Sequence, residues 1–305
     1  MRKNAHTLVG PGAVILSAVL FGTMPIMAKR AFTLGSNAFT TAFGRFATGA
    51  MIAGLVILLH PKQTIHISKK QFRALILLSL FYAATPVLLY SSYQSIDSGL
   101  ASTLHFTYPI AVMLLSALLF RERVERRELL CAFFCMAGVL LLYTPGSNTD
   151  ASGMVIAALS GLVYAGYIVA LGKSGLKGLS VLTMTFWLSL LSAAEIFVFS
   201  LCTGNLTLDL PKEVWLSYLG LGLFATVLAL ALFQIGVFLC GPVKASLLST
   251  FEPLTGVVIG ILVFHETLTA KSACGLLLIL LAVILLGLPA EKQIYKNRSQ
   301  NNNFG

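Results

Sequence analysis

Four ionisable side chains lie inside long apolar segments of the sequence: Arg45, His105, Glu195 and Glu252. An ionisable group within a bilayer is costly, so each of them requires a partner or a function. At a helical rise of about 1.5 Å per residue, Arg45 and Glu195 both lie roughly 12 Å from the same predicted membrane surface. An Arg45–Glu195 ion pair is therefore one hypothesis, and a structural role is favoured over ligand binding for both residues.

Glu252 stands about eight residues, or roughly 12 Å, into an apolar segment and directly precedes Pro253. Proline removes a backbone donor and frees a carbonyl one turn earlier, which opens the helix to water or ligand. Glu252 could take up a proton on one side of a membrane and release it on the other, or bind an amine. The alternative, favoured because the matching residue in the first half is Tyr108, is that Glu252 holds a kink.

Prolines interrupt several apolar segments, at Pro25, Pro86, Pro109 and Pro253. One interpretation is a simple packing kink, and the other is a hinge or an irregular backbone that lines a cavity. Pro109 and Pro253 recur at matched positions, which favours the second interpretation for this pair. We predict hinges at Pro25, Pro109 and Pro253.

Polar and aromatic side chains cluster around these prolines. A tyrosine in a membrane helix is usually an interfacial anchor, but several of these tyrosines lie deeper, which indicates the wall of a hydrogen-bonded cavity. The predicted cavity residues are Tyr90, Gln94, His105, Tyr108, Tyr164, Gln234, Ser249 and Glu252.

The elements that carry these residues are hydrophobic. The chain is 57% hydrophobic and 10% charged, with a mean hydropathy of +0.88, whereas a soluble domain has roughly 25% charged residues. A spanning helix needs about 20 mostly apolar residues, and the sequence predicts an all-α polytopic membrane protein with ten such helices. The predicted segments are 9–28, 38–59, 73–95, 100–120, 128–144, 153–172, 180–202, 214–239, 245–264 and 270–288.

A repeat organises these segments. Residues 101–142 match residues 245–286 at a constant shift of 144, which places Pro109 on Pro253. Each copy has a proline in its first apolar segment, a closing carboxylate, a short polar turn and a second apolar segment. Internal repeats of this kind are typical of transporter folds, whose binding sites lie where the two halves meet.

Each half holds five helices, and since five is odd, the second half must cross the membrane in the opposite direction. The net charge of +10 does not indicate nucleic-acid binding, because most basic residues lie in short loops on one side. By the positive-inside rule, both termini are predicted to be cytoplasmic. The predicted units are an inverted pair of five-helix repeats at 1–146 and 147–290, with a disordered cytoplasmic tail at 291–305.

The sequence resembles the ten-helix EamA-like branch of the drug/metabolite transporter superfamily over nearly its whole length. The similarity is carried by the opening helix SAVLFGTMPIMAKR, by Arg45 in the second helix, and by the two Pro-containing copies, the second with Glu252-Pro253. Arg121 and Cys131 depart from the usual small residue and glycine. The resemblance implies a secondary transporter, often an exporter of amino acids, other metabolites or drugs, with a central cavity between the halves.

Enzymatic interpretations are poorly supported. Gly172-Lys173-Ser174 resembles part of a phosphate-binding loop, but the required earlier glycine is replaced by Tyr167. We therefore expect neither an enzyme, nor a metal site, nor a cofactor. The expected partners are a small-molecule substrate and the lipid bilayer, without nucleic acid, and the oligomeric state stays open, a homodimer included.

The expected location is a bacterial inner membrane. The sequence leaves two alternative functions open. One is a translocator of lipids or lipid-linked head groups, which would use the same cavity but have a more basic lining. The other is a non-transporting membrane subunit, which would need no central polar residues.

Overall fold

The computed structural model describes residues 2–60, 62–96, 98–142, 150–264 and 269–287. Within this part of the chain the regular elements are helices. The α-helices are α1 (Arg2–Phe21), α2 (Met24–Thr33), α3 (Ala38–Leu59), α4 (Lys69–Ser92), α5 (Ser98–His105), α6 (Tyr108–Phe120), α7 (Arg126–Leu142), α8 (Ala151–Lys173), α9 (Val181–Thr203), α10 (Lys212–Gly220), α11 (Ala229–Cys240), α12 (Pro242–Leu248), α13 (Phe251–Phe264) and α14 (Ala270–Gly287). A 3₁₀ turn covers Leu176–Gly178, and a π-helical segment covers Leu221–Leu228.

Seven helical stretches in this part of the chain are long and apolar enough to cross a membrane. They are Val9–Thr33, Ala38–Leu59, Lys69–Ser92, Leu100–Phe120, Ala151–Lys173, Val181–Thr203 and Lys212–Cys240. The other predicted segments correspond to the shorter helices α7, α12, α13 and α14. The predicted turn between the halves, around Gly146, and the tail 291–305 lie outside the described residues.

Large apolar side chains cover the outside of the bundle. Leu58, Leu118 and Leu262 are 80%, 77% and 71% exposed, which would be unfavourable in water over so wide a surface. In a bilayer, the same side chains would contact the lipid hydrocarbon, which is favourable. The described part of the chain is therefore a membrane protein, with the polar residues of its helices turned inward.

Helix breaks precede three prolines. Pro25 lies in the first turn of α2, Pro109 in the first turn of α6 and Pro253 in the first turn of α13. The first turn of a helix has no intrahelical partner for its N–H groups, so a proline there loses nothing. Pro86, in contrast, lies inside α4 without a break. Whether the three breaks move as hinges stays a prediction.

The helices pack in pairs that relate one half of the chain to the other. α1 packs along α11 as α8 packs along α4, while α3 packs on α9 and α7 on α14. Glycines allow the α7–α14 approach, because a Cβ atom added at Gly138 would lie 2.8 Å from the Gly275 carbonyl oxygen. In the reverse direction, a Cβ atom at Gly275 would lie 2.7 Å from the Gly138 oxygen.

Hydrogen bonds to the connecting loops hold α3 and α9 together at both ends. At one end, the Asn37 side chain donates to the Asn205 carbonyl oxygen over 2.8 Å. At the other end, the Trp187 indole N–H donates to the Ile65 carbonyl oxygen over 2.8 Å. The loop after each of these two helices is thus tied to the start of the other, which holds the bundle around its centre.

Candidate functional site

An aromatic cluster fills the centre of the bundle, where helices of both halves meet. We call it the central aromatic cluster. The rings of five members contact one another, those of Tyr82, His105, Tyr108, Tyr164 and Tyr167. The sixth member, Tyr90, lies within electrostatic range of Tyr82 and has its own ring contacts with Phe32 and Tyr93. The Tyr82 and Tyr167 rings are 4.8 Å apart between centroids, and the Tyr108 and Tyr164 rings 4.9 Å. Each member is less than a tenth exposed. The cluster thus brings together four of the predicted cavity residues.

His105 is positioned by the break between α5 and α6. It is the last residue of α5, and its ring stacks on Tyr164 with 5.5 Å between centroids. Its Nδ1 atom and the Ser160 hydroxyl are hydrogen-bonded over 2.8 Å. Gly161 permits this approach, because a Cβ atom there would lie 2.5 Å from the His105 carbonyl oxygen.

Arg45 lies beside the cluster and is 3% exposed. Its Nε donates to the Thr226 hydroxyl over 3.1 Å, and its Nη1 contacts the Met24 sulfur at 3.0 Å. Its Nη2 donates to the Tyr82 hydroxyl over 2.9 Å and to the Ala225 carbonyl oxygen over 3.2 Å. All three guanidinium nitrogens are therefore engaged by neutral groups of the protein, which is how the structure accommodates a buried charge.

Two of these partners belong to the π-helical segment Leu221–Leu228. π-Helical turns are rare and are frequent at functional sites, because the wider turn exposes backbone carbonyls to other partners. The Ala225 carbonyl oxygen is turned to Arg45 in this way. Nothing in the sequence analysis indicated this segment, since its apolar residues also fit an ordinary α-helix.

The predicted ion pair between Arg45 and Glu195 is not formed. Glu195 accepts a hydrogen bond of 2.5 Å from the Ser79 hydroxyl of α4, and Arg45 has the partners given above. α3 and α9 do pack against each other. The two helices therefore meet, as an ion pair between residues of similar sequence depth would require. The pair is absent because the Arg45 and Glu195 side chains point to different neighbours around their helices.

Several buried polar atoms of the cluster have no hydrogen-bond partner among the described residues: the hydroxyls of Tyr90, Tyr108 and Tyr167, and Nε2 of Gln234. The other end of the Gln234 amide accepts from the Thr185 hydroxyl over 3.1 Å. An unpaired buried polar group costs about 1–3 kcal/mol. Each tyrosine has a polar neighbour that does not meet hydrogen-bond geometry, namely Arg45 for Tyr90, Ser249 for Tyr108 and Gln234 for Tyr167, so these groups form a polar surface inside the bundle.

Glu252 lies near the cluster, in the first turn of α13. It is partly exposed, and its carboxylate accepts no hydrogen bond from the residues that the structure describes. Arg45, Tyr90 and Tyr108 lie within electrostatic range of it. The structure thus places the predicted Glu252 near the cluster, with a carboxylate that has no hydrogen-bond donor among the described residues.

Two predicted cavity residues are placed differently. Gln94 lies in the turn after α4 and is exposed, so it is outside the cluster. Ser249 is buried at the break between α12 and α13, close to Tyr108, but its hydroxyl donates to the Ala245 carbonyl oxygen of its own helix over 2.9 Å. Tyr82 was missed, although it precedes Tyr90 by about two helical turns and so shares its face.

An apolar groove of about 740 Å³ lies elsewhere, between α3 and α9. Its lining includes Phe43, Gly54, Leu190 and Phe197 and contains no ionisable side chain. None of the predicted site residues lines it. The groove shares no lining residue with the central aromatic cluster.

Two copies of one family model match the chain, that of the EamA-like transporter family, at residues 8–144 and 151–288. The chain belongs to the EamA-like transporter family. The predicted family is therefore confirmed, and membership indicates a membrane transporter.

Known proteins agree with this assignment. An uncharacterized transporter of Archaeoglobus fulgidus is 29% identical over 90% of this chain and 95% of its own length. Protein PecM of Dickeya dadantii is 28% identical over 66% of this chain and 68% of its own. The uncharacterized inner membrane transporter YicL of Salmonella typhimurium is 24% identical over 92% and 95%.

A solved crystal structure shows the same fold. It superimposes with a TM-score of 0.73 over 92% of this chain and 96% of the other, at 18% sequence identity. At this identity the likeness concerns the arrangement of the helices and not the substrate.

Proposed function

We propose that this chain is a gradient-driven secondary transporter that exports a small metabolite, such as an amino acid or a drug-like compound, by alternating access. Its units would be two inverted five-helix repeats, 1–146 and 147–290, that rock around the central aromatic cluster. Residues 291–305 would form a disordered cytoplasmic tail. We place the protein in a bacterial inner membrane, the membrane named for its relative YicL of Salmonella typhimurium, with both termini cytoplasmic.

The packing of the helices supports the inverted repeat. The contact of α1 with α11 has its counterpart in the contact of α8 with α4, while α3–α9 and α7–α14 each join equivalent helices. In an inverted repeat, a pseudo-two-fold axis in the membrane plane would relate such pairs and also the two parts of the chain that match the family. An axis of this kind would make the conformation open to one side of the membrane structurally equivalent to the conformation open to the other side.

The unpaired polar atoms at the cluster carry the proposal. The hydroxyls of Tyr90, Tyr108 and Tyr167 and the amide nitrogen of Gln234 are buried without partners among the described residues. A silent membrane subunit has no use for such groups, whose burial costs free energy. A lipid head-group translocator would need several cations, and Arg45 is the one Lys or Arg side chain that the structure places at the cluster.

Transport by purified protein in liposomes tests the proposal. Vesicles with an imposed proton or sodium gradient would be screened with labelled amino acids, other metabolites and organic amines. We expect gradient-dependent accumulation of at least one compound, and none in protein-free vesicles. The matched variants are Tyr167→Ala, which removes a cluster hydroxyl and ring, and Leu58→Ala, which changes only an 80% exposed side chain.

The expected pattern is loss of transport in Tyr167→Ala and normal transport in Leu58→Ala. Scrambling of fluorescent phospholipids without transport of any soluble compound would replace the proposal by the lipid translocator. Absence of both activities in a folded wild-type protein, with a sharp melting transition, would favour the non-transporting subunit.

A further inference from the structure

Arg45 and Glu252 carry opposite charges near the cluster, and they differ in how many hydrogen-bond partners the protein already gives them. Arg45 already contacts neutral protein groups through Nε, Nη1 and Nη2 at 2.9–3.2 Å, and four of its five N–H groups are used in these contacts. A carboxylate that binds two guanidinium nitrogens at once would have to displace Thr226, Tyr82 or the Ala225 carbonyl from Arg45. The guanidinium is therefore a fixed structural element, which joins α3 to α4 and to the π-helical segment.

Glu252 has the opposite property. No described residue donates a hydrogen bond to its carboxylate, and the residue is partly exposed. It lies in the first turn of α13, directly after the Ser249–Thr250 break. An open carboxylate inside a membrane protein is a site for a cation.

The surroundings of Glu252 specify the kind of cation. Tyr90, Tyr108 and Tyr164 lie within electrostatic range of the carboxylate. Aromatic faces combined with a carboxylate attract ammonium groups, because the ring quadrupole and the negative charge act together. A metal ion would need several oxygen ligands, of which carboxylates are the strongest, and the described residues of the cluster offer no carboxylate beside Glu252.

We propose that the substrate is an organic amine whose ammonium group binds Glu252 and whose apolar part lies against Tyr108 and Tyr164. The inference rests on the proposed transport function and names its substrate class. Because Nε and Nη2 of Arg45 are occupied by Thr226, Tyr82 and Ala225, a carboxylate on the substrate cannot form a bidentate pair with the guanidinium unless it displaces one of them. Monoamines should therefore bind better than the amino acids of the same skeleton.

Binding to the purified full-length protein tests this, with phenethylamine, phenylalanine and 3-phenylpropionate as probes of one skeleton. We expect calorimetric binding of phenethylamine, weaker binding of phenylalanine and none of 3-phenylpropionate. Glu252→Gln should weaken phenethylamine binding by at least about tenfold, since it removes the counter-charge. Glu195→Gln is the matched control, because Glu195 is an intramembrane carboxylate outside the cluster and should leave binding unchanged.

A second variant separates binding from folding. Glu252→Asp keeps the charge on a shorter side chain and should retain more phenethylamine binding than Glu252→Gln at a similar melting temperature. Stronger binding of 3-phenylpropionate than of phenethylamine would overturn the inference. So would phenethylamine binding that is equal in wild type and Glu252→Gln.

The two proposals fail separately. If liposomes accumulate metabolites but the protein binds no amine, the transport function stands and the amine site is wrong. If amines bind through Glu252 but no compound crosses the liposome membrane, the site stands and the transport function is wrong.

Discussion

Gly161→Ala probes the contact that positions His105 in the central aromatic cluster. Gly161 lies in α8, where the chain passes the break between α5 and α6. A Cβ atom added there would lie 2.5 Å from the His105 carbonyl oxygen, whereas ordinary contacts begin at 3.4 Å. The neighbour is backbone, which cannot rotate away. The two helices must therefore separate by about 0.9 Å, because interiors are close-packed.

The size of the effect follows from this displacement. The hydrogen bond between His105 Nδ1 and Ser160 Oγ is 2.8 Å long, and it would reach about 3.7 Å, which is beyond hydrogen-bond range. Overpacking costs about 1–3 kcal/mol, and the lost hydrogen bond adds about 1 kcal/mol. We expect Gly161→Ala to destabilise the protein by about 2–4 kcal/mol.

Thermal unfolding of the purified protein in detergent measures this. Gly161→Ala should melt several degrees below wild type, and bound substrate should recover less stability than in wild type. Gly12→Ala is the control, because Gly12 is an exposed helical glycine with nothing within 4 Å of an added Cβ atom. A melting temperature of Gly161→Ala equal to that of wild type would refute the close approach of α8 to His105.

Three further predictions concern topology, the surface and Arg45. Reporter fusions at Gln71 and Arg126 should report the cytoplasm, and a fusion in the turn between the halves the outside; the same side for all three would refute the inverted repeat. Glu122→Gln removes the ion pair with Lys173, in which both side chains are 34% exposed, and denaturation should show a loss of less than about 1 kcal/mol. Arg45→Lys keeps the charge but loses the fork of donors, so we expect about 2 kcal/mol lower stability in the same assay; wild-type stability would contradict the hydrogen-bond network.

Local chemistry made the helix breaks predictable. Proline cannot donate a backbone hydrogen bond, so the interruptions before Pro25, Pro109 and Pro253 could be expected wherever the chain folds. Pro86 has the same chemistry but lies inside an unbroken α4. The difference is not local, since it depends on which neighbouring helices satisfy the freed carbonyl.

Depth in the membrane made part of the cluster predictable. Tyr90, Tyr108 and Tyr164 lie too far inside their apolar segments for interfacial anchors, and the structure places all three in the cluster. Gln94 was misplaced because the sequence segment continues to residue 95, whereas α4 ends at Ser92 and a turn follows. The sequence gives only a weak signal for a helix end that falls among polar and aromatic residues, because no change in the hydrophobic pattern marks it.

The sequence by itself determined the class of the protein. The spacing of apolar segments, the repeat at a shift of 144 and the deep positions of Arg45 and Glu252 are all properties of the chain read in one dimension. They follow from the length needed to cross hydrocarbon and from the cost of burying charge. These rules apply before any helix meets another.

Only the tertiary structure decided which side chains meet. Arg45 binds Thr226, which is 181 residues away, while Glu195 of the packed neighbouring helix bonds to Ser79 instead. Successive residues of an α-helix point about 100° apart around its axis, so two side chains at equal depth can still face different neighbours. The rotation of each helix is set by close packing at positions such as Gly161 and Gly222, and that packing is a property of the assembled bundle.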